Sequence, residues 1–182
     1  MNYQTIIDKY YPAGSRLRDI YMAHCRSVAD EALAIAARCR LNLDLADVEA
    51  AAMLHDIGIF DTDAPSIECH GHQPYIDHGI IGRELLLREG APEAIAEVAA
   101  RHTGAGLTAD EIAAQHLPLP AVDMCPHTLL EKLICYADKF YSKSGDMKRK
   151  PLDKVRRSME RFGAASLERF DAMHTLFSSC GC

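Results

Sequence analysis

From Ser15 to about residue 40, apolar side chains return at helical intervals. Leu17, Ile20, Tyr21, Val28 and Ile35 form one stripe, the pattern of a helix that buries a single face. His24 lies on that stripe and therefore faces the interior. The same reading predicts a short helix over 2–11, ended by Pro12-Ala-Gly14, with Ser15 capping the long one at 16–40. Asp44 or Asp47 caps the next helix, 45–57, and Gly58 serves as its C-terminal breaker. Residues 59–76, rich in Asp, Pro, Gly, His and Cys, read as a loop; a loop of that length in a compact domain is often functional. A helix resumes near Tyr75–His78 and runs to about residue 89. Another covers 92–103, with Pro92 in its first turn. Thr108-Ala-Asp-Glu111 carries the capping-box pattern and opens a short helix, which Leu117-Pro-Leu-Pro120 ends. Pro126 opens a helix to about residue 143, and Pro151 a last one to about residue 177.

This is an all-α pattern: one compact helical bundle of about seven or eight helices, with a core over about 15–145 and a C-terminal helix over about 151–177. Composition agrees. The 182 residues suit one domain; 48% are hydrophobic and 25% charged, and Trp is absent. No repeat or linker interrupts the chain. The formal net charge of −6 argues against a nucleic-acid polymer as partner, because backbone binding needs a basic footprint. It leaves room for a small anionic substrate if a metal supplies local positive charge. No apolar run reaches the roughly 18–20 residues of a membrane helix. The seven cysteines are scattered, odd in number and free of Cys-x-x-Cys pairs. With no secretory signal they read as reduced thiols in a cytoplasmic protein. Cys25, Cys39 and Cys135 fall inside helical patterns as small apolar fillers, and Cys180-Gly-Cys182 reads as a frayed tail.

Polar residues sit where apolar ones are expected. His24 follows Tyr21 by one turn and precedes Val28. His78 precedes Ile81 and Leu85, His102 follows Ile95 and Val98, and Asp138 follows Leu130 and Ile134. Each lies on the apolar face of its own helix. The pair His55-Asp56 ends the apolar run Ala51-Ala-Met-Leu. A buried charged Asp is costly unless it is paired or binds metal. One inward histidine is an ordinary hydrogen-bonded core group; six inward polar residues together point to metal. Nitrogen and oxygen ligands without thiolate suit Fe, Mn, Mg, Co, Ni or Zn.

The order His24, His55-Asp56, His78, His102, Asp138, with Ile57-Gly58 after the doublet, resembles the HD superfamily of metal-dependent phosphohydrolases over about residues 15–145. Arg101-His-Thr-Gly-Ala-Gly-Leu-Thr108 and Leu129-Leu-Glu-Lys-Leu-Ile-Cys-Tyr-Ala-Asp-Lys139 resemble small bacterial and archaeal HDIG-type proteins and, more distantly, HD-type diadenosine tetraphosphate hydrolases. The resemblance implies that His24, His55, Asp56 and Asp138 hold a first divalent ion. Asp56 then bridges to a second, held by His78 and His102, and the pair is iron or manganese. Two such ions lower the pKa of a bridging water and clamp a phosphoryl group, so no Ser or Cys nucleophile is required. Ile59 stands where many HD phosphodiesterases have Lys, and the Gly-Tyr-Pro motif of cyclic-di-GMP phosphodiesterases is missing; both argue against a cyclic dinucleotide.

The expected activity is hydrolysis of a small phosphoester or phosphoanhydride, a nucleotide above all. Asp56 acts at the ions, and Arg101, Lys139 and Lys143 are candidate charge stabilisers. Lys148-Arg-Lys150 follows as a basic cluster. Two alternatives stay open: a di-iron oxygenase cleaving a C–C or C–P bond with the same ligands, and a non-catalytic nucleotide-binding module. The other histidines, at 70, 72, 116, 127 and 174, match no ligand position.

Overall fold

The computed structural model describes residues 1–145 and 147–179; the Cys180-Gly-Cys182 tail lies outside them. The all-α expectation holds. Nine α-helices occur among the described residues: α1 (Tyr3–Tyr10), α2 (Arg16–Arg38), α3 (Leu45–Leu54), α4 (His78–Arg88), α5 (Glu93–Arg101), α6 (Ala109–Ala114), α7 (Leu129–Asp138), α8 (Leu152–Glu160) and α9 (Ala164–Ser178). The 23-residue α2 is the spine, packed against α3 and α7. α4 lies on α5 and on the turn that follows α3, and α9 lies on α7 and α8. One core runs through the bundle, from Ile7 and Tyr11 to Phe170 and Phe177. No described helix is long and apolar enough to cross a membrane.

Local chemistry sets the helix starts. The Ser15 hydroxyl accepts from the Arg18 N–H, and the Asp44 carboxylate from the Ala46 N–H. Thr108 forms the expected capping box with Glu111, and Thr128 forms a second with Glu131. Each supplies an acceptor for N–H groups that have no partner within the helix.

The boundaries differ from the sequence reading in four places. α7 begins at Leu129 rather than near Pro126, because the Thr128 box outranks the proline. It ends at Asp138, which leaves Lys143 in the segment beyond. The single C-terminal helix is two: Gly163, at φ 105°, breaks it between α8 and α9. Loop 59–76 is built rather than open. It holds a 3₁₀ turn at Ile57–Asp61 and a two-stranded antiparallel hairpin, β1 (Asp63–Ala64) with β2 (Cys69–His70), paired Asp63 to His70 and Ala64 to Cys69. Gly58 is no helix breaker. It sits inside that 3₁₀ turn without a positive φ, where its bare Cα lets α4 approach. Cys25 and Cys135 are buried; Cys39, at the end of α2, is partly exposed.

Candidate metal centre

Five of the six sequence-predicted ligands stand at the ends of elements. His55 follows the last residue of α3, and Asp56 follows His55. His78 opens α4, His102 follows α5, and Asp138 ends α7; only His24 is mid-helix. All six are buried. The three end-of-element histidines share one anchor. Nδ1 of His55 lies 2.6 Å from the Ala52 carbonyl, that of His78 2.6 Å from Tyr75, and that of His102 2.7 Å from Ala99, each three residues back. A carbonyl only accepts, so each Nδ1 carries a proton, which leaves Nε2 as the nitrogen that presents a lone pair in the neutral ring. This is the arrangement in which a backbone contact orients a metal-binding imidazole.

The ligand atoms form two groups that share one carboxylate. His24, His55, Asp56 and Asp138 place one atom each within 4.8 Å of all the others, and Asp56, His78 and His102 do the same. In the first group, Nε2 of His24 lies 3.1 Å from Asp56 Oδ2 and 3.1 Å from Asp138 Oδ1, and Nε2 of His55 lies 3.1 Å from Asp56 Oδ2. In the second, Asp56 Oδ1 faces Nε2 of His102 at 3.3 Å and of His78 at 3.6 Å. The two Asp56 oxygens thus point in different directions. Neither makes a well-directed hydrogen bond, and Nδ1 of His24 also lacks one. Converging imidazole nitrogens around a buried carboxylate that lacks a well-directed hydrogen bond are unfavourable alone and are relieved by a cation. The donor set therefore fits metal ions.

Electrostatics favour binding-competent forms of Asp56, Asp138, His78 and His102; His55 is the exception, for against burial Asp56 and Asp138 hold its imidazole well above the usual range. Burial works against the charge on Asp56, yet Lys143 and His55 beside it hold its carboxyl well below the usual range. Asp138 is likewise held low against burial by Lys139 and by His24. Burial, with His102 beside it, pushes His78 down to about 3, and burial also lowers His102. Both imidazoles are neutral ligands across the physiological range.

The three cationic candidates go to different places. Lys143 Nζ reaches Asp56 Oδ2 at 2.6 Å and lies over the Tyr75 ring. Lys139 Nζ pairs with Asp138 Oδ2 at 2.6 Å and donates to the His102 carbonyl at 2.8 Å, which clips α7 to the end of α5. Both line a cleft of about 480 Å³ on which Asp138 opens. Arg101 does not join them. Its guanidinium is held by Glu97 at 3.0 Å and Glu131 at 3.2 Å, and it lines a separate surface cleft. The expectation that it reaches phosphate is corrected: two acidic neighbours already satisfy it. Glu131 is itself buried and accepts from the His127 N–H at 2.7 Å. Its replacement by alanine should cost about 1–3 kcal/mol in a denaturant titration, because it orphans Arg101 and the start of α7 together.

The sequence reading placed Tyr21 on the buried stripe of α2 but gave neither it nor Tyr11 a task at the site. Tyr11 and Tyr21 are fully buried and stack with ring centroids 4.1 Å apart. Tyr21 donates to the Met53 carbonyl at 2.5 Å and Tyr11 to that of Ile57 at 3.0 Å. They pin the backbone on either side of His55-Asp56. Tyr11 follows α1, so the N-terminal helix is part of what positions the centre.

A family model for the HD domain matches residues 21–142. The chain belongs to the HD-domain family. The chain is similar over 97% of its length, at 30% identity, to a tRNA (cytidine(56)-2'-O)-methyltransferase of Thermoplasma volcanium, of which it covers 46%. It is 36% identical to the methyltransferase of the same name from Picrophilus torridus over 68% of this chain and 32% of that one. An uncharacterized protein of Methanocaldococcus jannaschii is 39% identical over 63% of this chain and 62% of its own. The chain thus spans less than half the length of the two methyltransferases it matches. No solved structure matches it.

Proposed function

We propose that the protein is a metal-dependent phosphohydrolase with two divalent ions, iron or manganese, acting on a small phosphoester or phosphoanhydride of the nucleotide class. The observation that carries this reading is a single carboxylate, Asp56, shared by two histidine-rich groups beside a lysine-lined cleft. Bound divalent ions supply an activated water and a clamp for phosphoryl oxygens. Asp56 offers one oxygen to each group and so sets their spacing. Lys139 and Lys143 line the approach and place positive charge where an incoming phosphate needs it. A cysteine nucleophile is disfavoured: Cys135 is buried, and burial pushes its thiol up to about 11, which leaves almost no thiolate. The lysine-lined cleft also favours an anionic substrate over the uncharged diol of a C–C-cleaving oxygenase, and phosphate release separates a phosphoester from the phosphonate of a C–P-cleaving one.

The relatives' names supply a second reading, in which the domain acts beside an RNA-modifying activity. The net charge of −6 weighs against a polymer partner.

The test is phosphate release from a panel of nucleotides, phosphomonoesters and tRNA. The protein is reconstituted anaerobically with iron or manganese, and chelator-treated protein is the control. Release from one small-molecule class, lost on chelation and restored by metal, is expected. Two bound ions with no release from any compound would overturn the hydrolase, and a response to tRNA alone would favour the second reading.

A further inference from the structure

The cleft beside Asp138 carries more positive charge than its carboxylates balance. Lys139 is paired with Asp138 and Lys143 with Asp56. Lys150 lines the same cleft, and among the described residues its ammonium has neither an ion-pair partner nor a hydrogen-bond acceptor. The main chain that carries it is fixed: the Lys150 backbone N–H donates to the Phe140 carbonyl at 2.8 Å. The neighbouring Arg149 turns elsewhere, pairing with Glu31 at 2.8 Å and stacking over Phe140. Lys150 also lies beyond the 21–142 span of the family match, so the family pattern does not account for it.

A half-buried ammonium without a counter-ion is costly. Burial lowers its pKa; Asp138 opposes that and Lys139 works with it. Among the described residues, the lysines at this cleft number three and the carboxylates paired with them two, and those two carboxylates belong to the metal groups. With Lys139 and Lys143 paired to metal-group carboxylates, Lys150 is the lysine of the cleft left to meet a further anion.

We infer that Lys150 binds a second, non-scissile phosphoryl group, which makes the preferred substrate a phosphoanhydride such as a nucleoside di- or triphosphate rather than a monophosphate. The inference rests on the phosphohydrolase reading and narrows its substrate class.

The experiment is calorimetric titration of the manganese-loaded full chain with two probes that resist hydrolysis: methylphosphonate, with one phosphoryl-like group, and methylenediphosphonate, with two. Wild-type protein should bind the diphosphonate at least tenfold more tightly, as a charge-assisted contact predicts. Lys150→Ala should lose that advantage while its methylphosphonate affinity stays within twofold, and Lys150→Arg should retain it. Lys132→Ala, the same change in charge on a different groove, should alter neither. A Lys150→Ala protein that weakens for both probes alike, or for neither, overturns the assignment. Equal wild-type affinity for the two probes removes it but leaves the phosphohydrolase standing; no binding of either removes both.

Discussion

Asp56→Ala is expected to abolish phosphate release, lowering kcat/KM by at least about a thousandfold, or roughly 4 kcal/mol of transition-state stabilisation. It should do so with the fold intact. Asp56 is the one residue common to both ligand groups, so its loss removes a ligand from each rather than weakening one. Metal analysis should therefore report a drop from two ions per chain towards none, where His78→Ala should drop towards one. Stability moves the other way. In metal-free protein Asp56 is a fully buried carboxylate among imidazole lone pairs, without a well-directed hydrogen bond. Alanine removes that penalty along with the Lys143 ion pair, and Lys143, released from its only short carboxylate contact among the described residues, can swing into the adjoining cleft. The metal-free variant should melt no lower than the metal-free wild type, while the metal-dependent rise in Tm that binding linkage gives the wild type should vanish. An active variant, or one retaining both ions, would end the shared-carboxylate reading.

The reach of the sequence follows from what periodicity encodes. A helical stripe says which way a side chain faces, so His24, His78, His102 and Asp138 could be placed inward before any neighbour was known. It does not say which inward or flanking group competes for a partner. Arg101 sits next to His102 in the chain but is held by Glu97 and Glu131, one on its own helix and one on α7, and no local pattern marks the second. In the same way Lys148-Arg-Lys150 reads as one basic cluster, yet backbone direction sends Arg149 to Glu31 and Lys150 into the cleft. The break at Gly163 lay in plain sight as a glycine within a helical run, but its positive φ is a property of the packed chain. Tyr11 carried no signal at all, because its task is to hold a backbone carbonyl 46 residues away.

Gly58 shows the same limit and has the largest expected effect on stability. As the fourth residue of His55-Asp-Ile-Gly58 it invites the reading of a helix breaker. The structure gives it another task. A Cβ on Gly58 would lie 2.3 Å from the His78 carbonyl oxygen and 2.5 Å from the Gly82 N–H nitrogen. Both obstacles are backbone atoms of α4, so no side-chain rotation relieves the clash; α4 must move as a unit. Overpacking of that kind costs about 2–4 kcal/mol, which for a chain of this size lowers Tm by on the order of 10 °C. The displacement falls on the second ligand group. His78 opens α4, and its Nε2 lies 3.1 Å from that of His102, whereas His24 and Asp138 stand on α2 and α7 and His55 directly follows α3. Gly58→Ala should therefore reproduce the metal loss of His78→Ala, one ion of the two, although every ligand is still encoded. Differential scanning calorimetry and metal analysis on the same preparation test this together. A Gly58→Ala protein that melts with the wild type and holds both ions would mean that α4 is not seated on that turn in solution.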